Sequence, residues 1–214
     1  MTAIDWMETF KRCFDQLKDK DRLPRAMKAD GCRENWLQAE LMLQAEDQGV
    51  EIWTNTEKVV GVDPRTGKAL RGKYDLSAYY AEDPNKATMV AEVKIIGAFF
   101  KDAGKCFTGH ALPKPSHPFA LGVDGRRLVT DEEIAKVGPR NWSLFGDAAR
   151  LRLHPAVERY LILVLLPFED EKATAARRAL HAAMQAVRFA PDPHDEGQYD
   201  DEKGRFMVRI WRIR

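Results

Sequence analysis

The sequence predicts an α/β fold, and three observations carry that reading. Apolar residues recur at helical spacing in segments near residues 4–20, 33–48, 143–153 and 171–188. Between residues 50 and 96, short runs of strand-forming residues are separated by turn residues. The most apolar run, Val157 to Leu166, is short, rich in leucine and β-branched residues, and stopped by Pro167. Such a run marks a buried central strand. With 214 residues the chain is long enough for one α/β domain with its own core. No repeat or linker divides residues 1–214, and a loop-rich insertion is expected at about 104–141.

In chain order, Ile4, Met7, Phe10, Phe14 and Leu17 define an amphipathic helix over 4–20. After a loop around Gly31, a second helix runs from Arg33 to Gln48, with Trp36, Leu37, Leu41 and Leu43 as apolar positions and Gly49 as its cap. It carries three acids. Glu40 stands beside apolar positions, Glu34 lies near the helix start, and Glu46 faces solvent next to Asp47. Residues 50–61 read as a strand, followed by the turn Asp63-Pro64-Arg65-Thr66-Gly67. A phosphate loop is excluded here, because Gly61 is misplaced relative to Gly67 and Lys68, and Ala69 stands where Ser or Thr is needed.

A second strand spans about Lys73–Tyr80 and a third about Thr88–Ile96, with Asp83-Pro84-Asn85 as the turn. Symmetry about that turn sets Asp75 opposite Glu92, and strand alternation puts Glu92 and Lys94 on one face. Beyond lie a short helix at 98–105, a long loop at 107–128 and a helix start at Thr130. Helix 143–153 turns Leu144, Ala148, Leu151 and Leu153 inward and is ended by Pro155. The remaining elements are a helix over Glu171–Arg188, an acidic surface loop over 192–203 and a final strand over Phe206–Ile213.

The charge balance, 34 Lys plus Arg against 33 Asp plus Glu, neither demands nor excludes a nucleic-acid partner. Cys13, Cys32 and Cys106 show no CxxC spacing, which fits free thiols in a reducing compartment. The segment MTAIDWMETFKRCF is too charged for a signal peptide, and Tyr160–Phe168 is too short to span a bilayer. The expectation is a soluble cytoplasmic protein with no membrane partner.

Asp75, Glu92 and Lys94 are the candidate chemistry. Two carboxylates on one sheet face supply hard oxygen ligands for Mg²⁺ (or Mn²⁺), and the Val93 carbonyl is a candidate third ligand. Lys94 is placed to orient or deprotonate a water, or to stabilise developing charge. Glu40 is a candidate to bind a second metal or order a water. The competing account is a surface hairpin with weak cross-strand ion pairs. Val90, Ala91, Val93, Ile95 and Ile96 make this strand apolar on both faces, so its charges need partners or a metal.

The Glu-bearing helix, then Asp75, then MVAEVKII with sixteen residues between Asp75 and Glu92, resembles the PD-(D/E)xK nuclease superfamily. That resemblance implies a restriction-endonuclease-like fold, a three-layer α/β/α arrangement around a central mixed sheet. It implies an endonuclease, a Mg²⁺-dependent hydrolase of phosphodiester bonds in DNA (or RNA). Asp75 and Glu92 resemble its metal-binding acids, Lys94 its catalytic lysine, and Glu40 the acid of the first core helix, with Glu34 as substitute. Gly146 to Leu151 resembles the helix before the fourth strand in several members. Tyr74 stands where the family name has proline. A homodimer is compatible with this reading.

Two other classes share the residues: a non-catalytic nucleic-acid- or protein-binding module of the same fold, and a hydrolase of some other phosphate ester. Cys106, His110, His117 and His154 match no compact zinc spacing. In the last strand Arg205, Arg209, Arg212 and Arg214 alternate with Phe206 and Trp211, which reads as nucleic-acid contact or as a charge-protected edge. Lys114, Arg126, Arg127, Arg140 and Arg150 are further candidates for the substrate side.

Overall fold

The computed structural model describes residues 4–23, 33–96, 127–128, 132, 134, 137–140, 143–165, 187–189, 192–200 and 206–214. Its elements are α1 (Trp6–Asp19), α2 (Arg33–Glu46), β1 (Trp53–Thr54), β2 (Leu76–Tyr80), β3 (Asp83–Ile96), β4 (Arg127–Leu128), α3 (Leu144–Leu153), β5 (Glu158–Leu165), β6 (Val187–Arg188), β7 (Glu196–Asp200) and β8 (Met207–Arg212). Six strands form a mixed sheet in the order β1-β2-β3-β5-β8-β7, and β4 pairs with β6 separately. Within the large sheet only β3 and β5 run parallel.

Helices cover both faces. Alternation along β3 sends Ala91, Val93 and Ile95 into a core shared with Phe10, Phe14 and Leu17 of α1 and Leu37 and Leu41 of α2. On the other face, Val90, Leu161, Leu163 and Trp211 pack with Leu144, Phe145, Ala148 and Leu151 of α3. Glu92 and Lys94 share the parity of Val90, so they lie on the α3 face. The architecture is therefore α/β with a central mixed sheet between helices. No helix among the described residues is long and apolar enough to cross a membrane.

Over Leu76–Ala78 the central hairpin has the register expected, reached by a different route, and Asp75 lies one residue beyond the paired strand. The turn is Ala81-Glu82, earlier than Asp83-Pro84-Asn85. Bulged residues on β3 then shift the pairing between Tyr80↔Asp83 and Ala78↔Met89. The early turn and the bulges offset one another, so Leu76 pairs with Ala91 and the next step brings Asp75 level with Glu92.

Several expectations are corrected. The strand expected over 50–61 is only Trp53–Thr54, with isolated bridges from Lys58 to Lys73 and from Val62 to Ala69. The second strand starts at Leu76, because Tyr74 turns into the α3-side core and donates its hydroxyl proton to the Arg150 carbonyl (2.9 Å). Leu43 is 45% exposed and Leu153 40%, so neither faces inward. Val187–Arg188 is a strand rather than a helix end. The acidic segment after Asp192 forms a short 3-10 helix and β7. That strand covers β8, which is interior rather than an edge. The loop at 28–32, the helix at 98–105, most of the 104–141 insertion and most of the 171–188 helix lie outside the described residues.

Candidate active site

Asp75 sits just before β2, where that strand has no further residue to pair with β3. Its carboxylate fills the gap: Oδ2 accepts the Val93 N–H (2.7 Å) and Oδ1 accepts from Gln38 Nε2 of α2 (2.8 Å). Gln38 in turn accepts from Asn55 Nδ2 (2.9 Å), so two further side chains fix its position. In a β-strand the N–H and C=O of one residue point to the same neighbour. The Val93 carbonyl therefore also opens towards the gap beside Asp75.

Glu92 is one strand step away and buried, and its Oε1 accepts from Arg150 Nε (3.2 Å). Arg150, itself only 3% exposed, also pairs with Asp147 and donates to the Pro139 carbonyl (3.1 Å). Asp147 and Arg150 are three residues apart on α3, hence on one helix face. Lys94 completes the cluster, with Nζ 3.4 Å from Asp147 Oδ2 and 3.6 Å from Glu34 Oε1. Glu34 also accepts the Ile95 N–H at 3.4 Å.

Glu40 is placed elsewhere. Its carboxylate pairs with Arg22 (2.6 Å), which follows α1, and its Oε2 has no hydrogen-bond partner among the described residues. At 3.6 residues per turn, Glu40 points about 160° away from Gln38 around α2. The helix acid that joins Lys94 is Glu34. The side chains not anticipated as site members are Gln38, Asp147 and, as a partner of Glu92, Arg150. A signal existed for each. Gln38 is four residues after Glu34, and Asp147 and Arg150 place charge among the apolar positions Leu144, Ala148 and Leu151.

The electrostatics follow from burial and an excess of acid. Four carboxyls (Glu34, Asp75, Glu92, Asp147) face two cations (Lys94, Arg150). Burial pushes the Asp75 carboxyl up to about 6, reinforced by Asp147 and Glu34 and opposed by the Val93 N–H. Glu92 is driven well above the usual carboxylate range, first by burial and then by Asp147 and Asp75, with Arg150 opposing. Each carboxyl therefore raises the other's affinity for a proton, and Arg150 is the cation that favours the ionised form of Glu92. Burial alone would lower Lys94, but Asp147, Glu34, Glu92 and Asp75 outweigh it and hold the ammonium charged.

Among the described residues no group of three or more His, Cys, Asp or Glu side chains stands in metal-ligand geometry. What the gap beside β2 offers is two carboxylates and one backbone carbonyl. That donor set fits Mg²⁺, which takes one or two carboxylates and keeps several waters. It does not fit a fully protein-caged metal. With all groups ionised the cluster carries two surplus negative charges, which a divalent cation would neutralise.

The other candidates resolve differently. Arg209 is buried and donates to the Val208 carbonyl (2.8 Å). Arg212 pairs with Glu158, and Arg214 with Asp195. These three arginines are committed to the protein's own groups, and Arg205 lies outside the described residues. His154 contacts Glu57 (3.2 Å) and accepts the Ala156 N–H (3.0 Å), which accounts for its burial. No family model, no curated protein and no solved structure matches this chain.

Proposed function

We propose that this chain is a metal-dependent nuclease of restriction-endonuclease-like fold, a Mg²⁺-assisted hydrolase of phosphodiester bonds with DNA as its substrate. The observation that carries the reading is the gathering of half-buried Asp75, buried Glu92 and the Val93 backbone at one strand end, with Lys94 beside them between Asp147 and Glu34. Asp75, Glu92 and the Val93 carbonyl would hold the metal. Bound Mg²⁺ supplies positive charge at the phosphate and a more acidic water. Gln38 and the Val93 N–H fix the Asp75 carboxylate for that task. Lys94 acts as a charged donor that orients the water or steadies developing charge on a phosphate oxygen. Its pairing with Asp147 and Glu34 makes it a poor base, which narrows the roles open to it.

One observation favours a second reading, a binding module that retains the fold without catalysis: Arg150 already occupies Glu92. The two separate by calorimetry with Mn²⁺ or Mg²⁺ in buffers of different ionisation heat. A catalytic centre sheds protons when the metal binds, because Glu92, driven well above the usual carboxylate range, must ionise to ligate it. Metal binding without proton release, or binding unchanged in a joint Asp75→Asn and Glu92→Gln variant, would sink the metal assignment.

A further inference from the structure

The whole chain carries a net charge of only +1, yet its cations are not evenly spread. Residues 58–73 hold Lys58, Arg65, Lys68, Arg71 and Lys73, all exposed, against a single acid, Asp63. Asp63 is buried and consumed by the turn: its carboxylate accepts the Arg65 N–H (3.0 Å) and the Thr66 hydroxyl (2.9 Å). Among the described residues Lys58, Lys68, Arg71 and Lys73 form no ion pair with a carboxylate.

The segment is a built hairpin. Bridges join Lys58 to Lys73 and Val62 to Ala69, and Val59 and Leu70 anchor it in the α3-side core. Its turn reaches the segment before α3. Gly138, at φ +78°, lies under the Arg65 side chain, and a Cβ there would stand 3.7 Å from the guanidinium. Where hairpin and segment meet there is a cavity of about 120 Å³ lined by Arg71, Arg140 and Arg150 together with Pro139. Arg150 is the same guanidinium that holds Glu92 and Asp147. The cavity has room for about four waters by volume, enough for a phosphate group. The hairpin also runs directly into the centre, since Lys73 is two residues before Asp75.

We propose that the 58–73 hairpin and Arg140 form the cradle for the sugar–phosphate backbone of DNA, with Arg71 and Arg140 taking a phosphate neighbouring the one presented to Asp75 and Glu92. The orientation of the DNA rests on the nuclease reading, whereas the cradle itself does not. Exposed cations on this hairpin attract phosphates and release counterions on binding, which makes affinity fall with salt. The arginine-lined cavity fixes register on the backbone and reads no base.

The test is fluorescence anisotropy of a labelled DNA duplex in EDTA across a range of KCl. Arg71→Glu with Arg140→Glu should weaken binding at every salt concentration and flatten the log K against log salt slope by about 2. Arg71→Gln with Arg140→Gln should act in the same direction, guarding against a folding artefact, with circular dichroism confirming the fold. Arg12→Glu with Lys20→Glu, on the α1 layer, should leave the slope unchanged. An unaltered slope in both cradle variants overturns the assignment, as does a wild type that fails to bind DNA. Cleavage assays keep the two proposals apart. A wild type that binds through the hairpin but never cuts would overturn the nuclease reading alone. A wild type that cuts, with cradle variants of unchanged KM, would overturn the cradle alone.

Discussion

Asp75→Asn should make the metal-free protein more stable at alkaline pH while removing its response to Mg²⁺. The carboxyl is raised from 3.8 to about 6 in the fold, chiefly by burial. Ionising it in the folded protein near pH 8 therefore opposes folding by about 3 kcal/mol. The sign follows from proton binding. Between those two values the folded state holds this proton and the unfolded chain does not, so stability falls as pH rises. The penalty is nearly absent below about pH 4, grows towards about pH 6 and is constant above it. Asparagine carries no charge, but it cannot accept from both Gln38 and Val93, which returns about 1 kcal/mol. The net gain near pH 8 is about 2 kcal/mol, or about 1 M in the urea midpoint for a domain of this size. Near pH 4 the gain should vanish or reverse. Urea unfolding in EDTA across that range reads the difference directly. A variant no more stable than wild type near pH 8, or a difference independent of pH, would show that the fold does not hold this carboxyl above its ordinary value. With Mg²⁺ added, wild type should gain stability and the variant should not.

Other outcomes follow from the same cluster. Arg150→Met should destabilise by about 3–5 kcal/mol in chemical denaturation, because it strands the buried carboxylates of Glu92 and Asp147. Glu34→Gln should lower single-turnover cleavage more than Glu40→Gln, since only Glu34 touches Lys94; equal effects would contradict the placement of the helix acid. Lys94 is held above its ordinary value, so the pH–rate profile should show no limb from its deprotonation on the way to pH 10.5; a limb near neutrality that disappears in Lys94→Gln would mark it as a base instead.

What the sequence made legible was local chemistry on strands. The step of one residue between Glu92 and Lys94 fixes their shared face whatever the rest of the fold does. The register that leads up to Asp75 and Glu92 was also readable, although Pro84 and Asn85 lie in the strand rather than in the turn. Helix rotation was harder. Glu34 and Glu40 sit on one helix, and apolar neighbours do not reveal which buried side meets the sheet edge and which meets α1. Asp147 and Arg150 were visible as charges in an apolar stripe, yet their partners lie on β3, more than fifty residues earlier, and only the packing of α3 brings them there. The C-terminal arginines looked like a binding strip because a sequence does not show that Glu158 and Asp195 are waiting for them.

Asp75, Glu92 and Lys94 are the proposed phosphodiester-cleaving centre. Single-turnover hydrolysis of end-labelled DNA tests it most directly, comparing wild type with Asp75→Asn and Lys94→Gln in Mg²⁺ and in EDTA. Wild type should cleave in Mg²⁺ and not in EDTA, and both variants should lose cleavage while remaining folded. Cleavage that persists in EDTA or in either variant, or a folded wild type inert on every DNA and RNA substrate with Mg²⁺ and Mn²⁺, would contradict it.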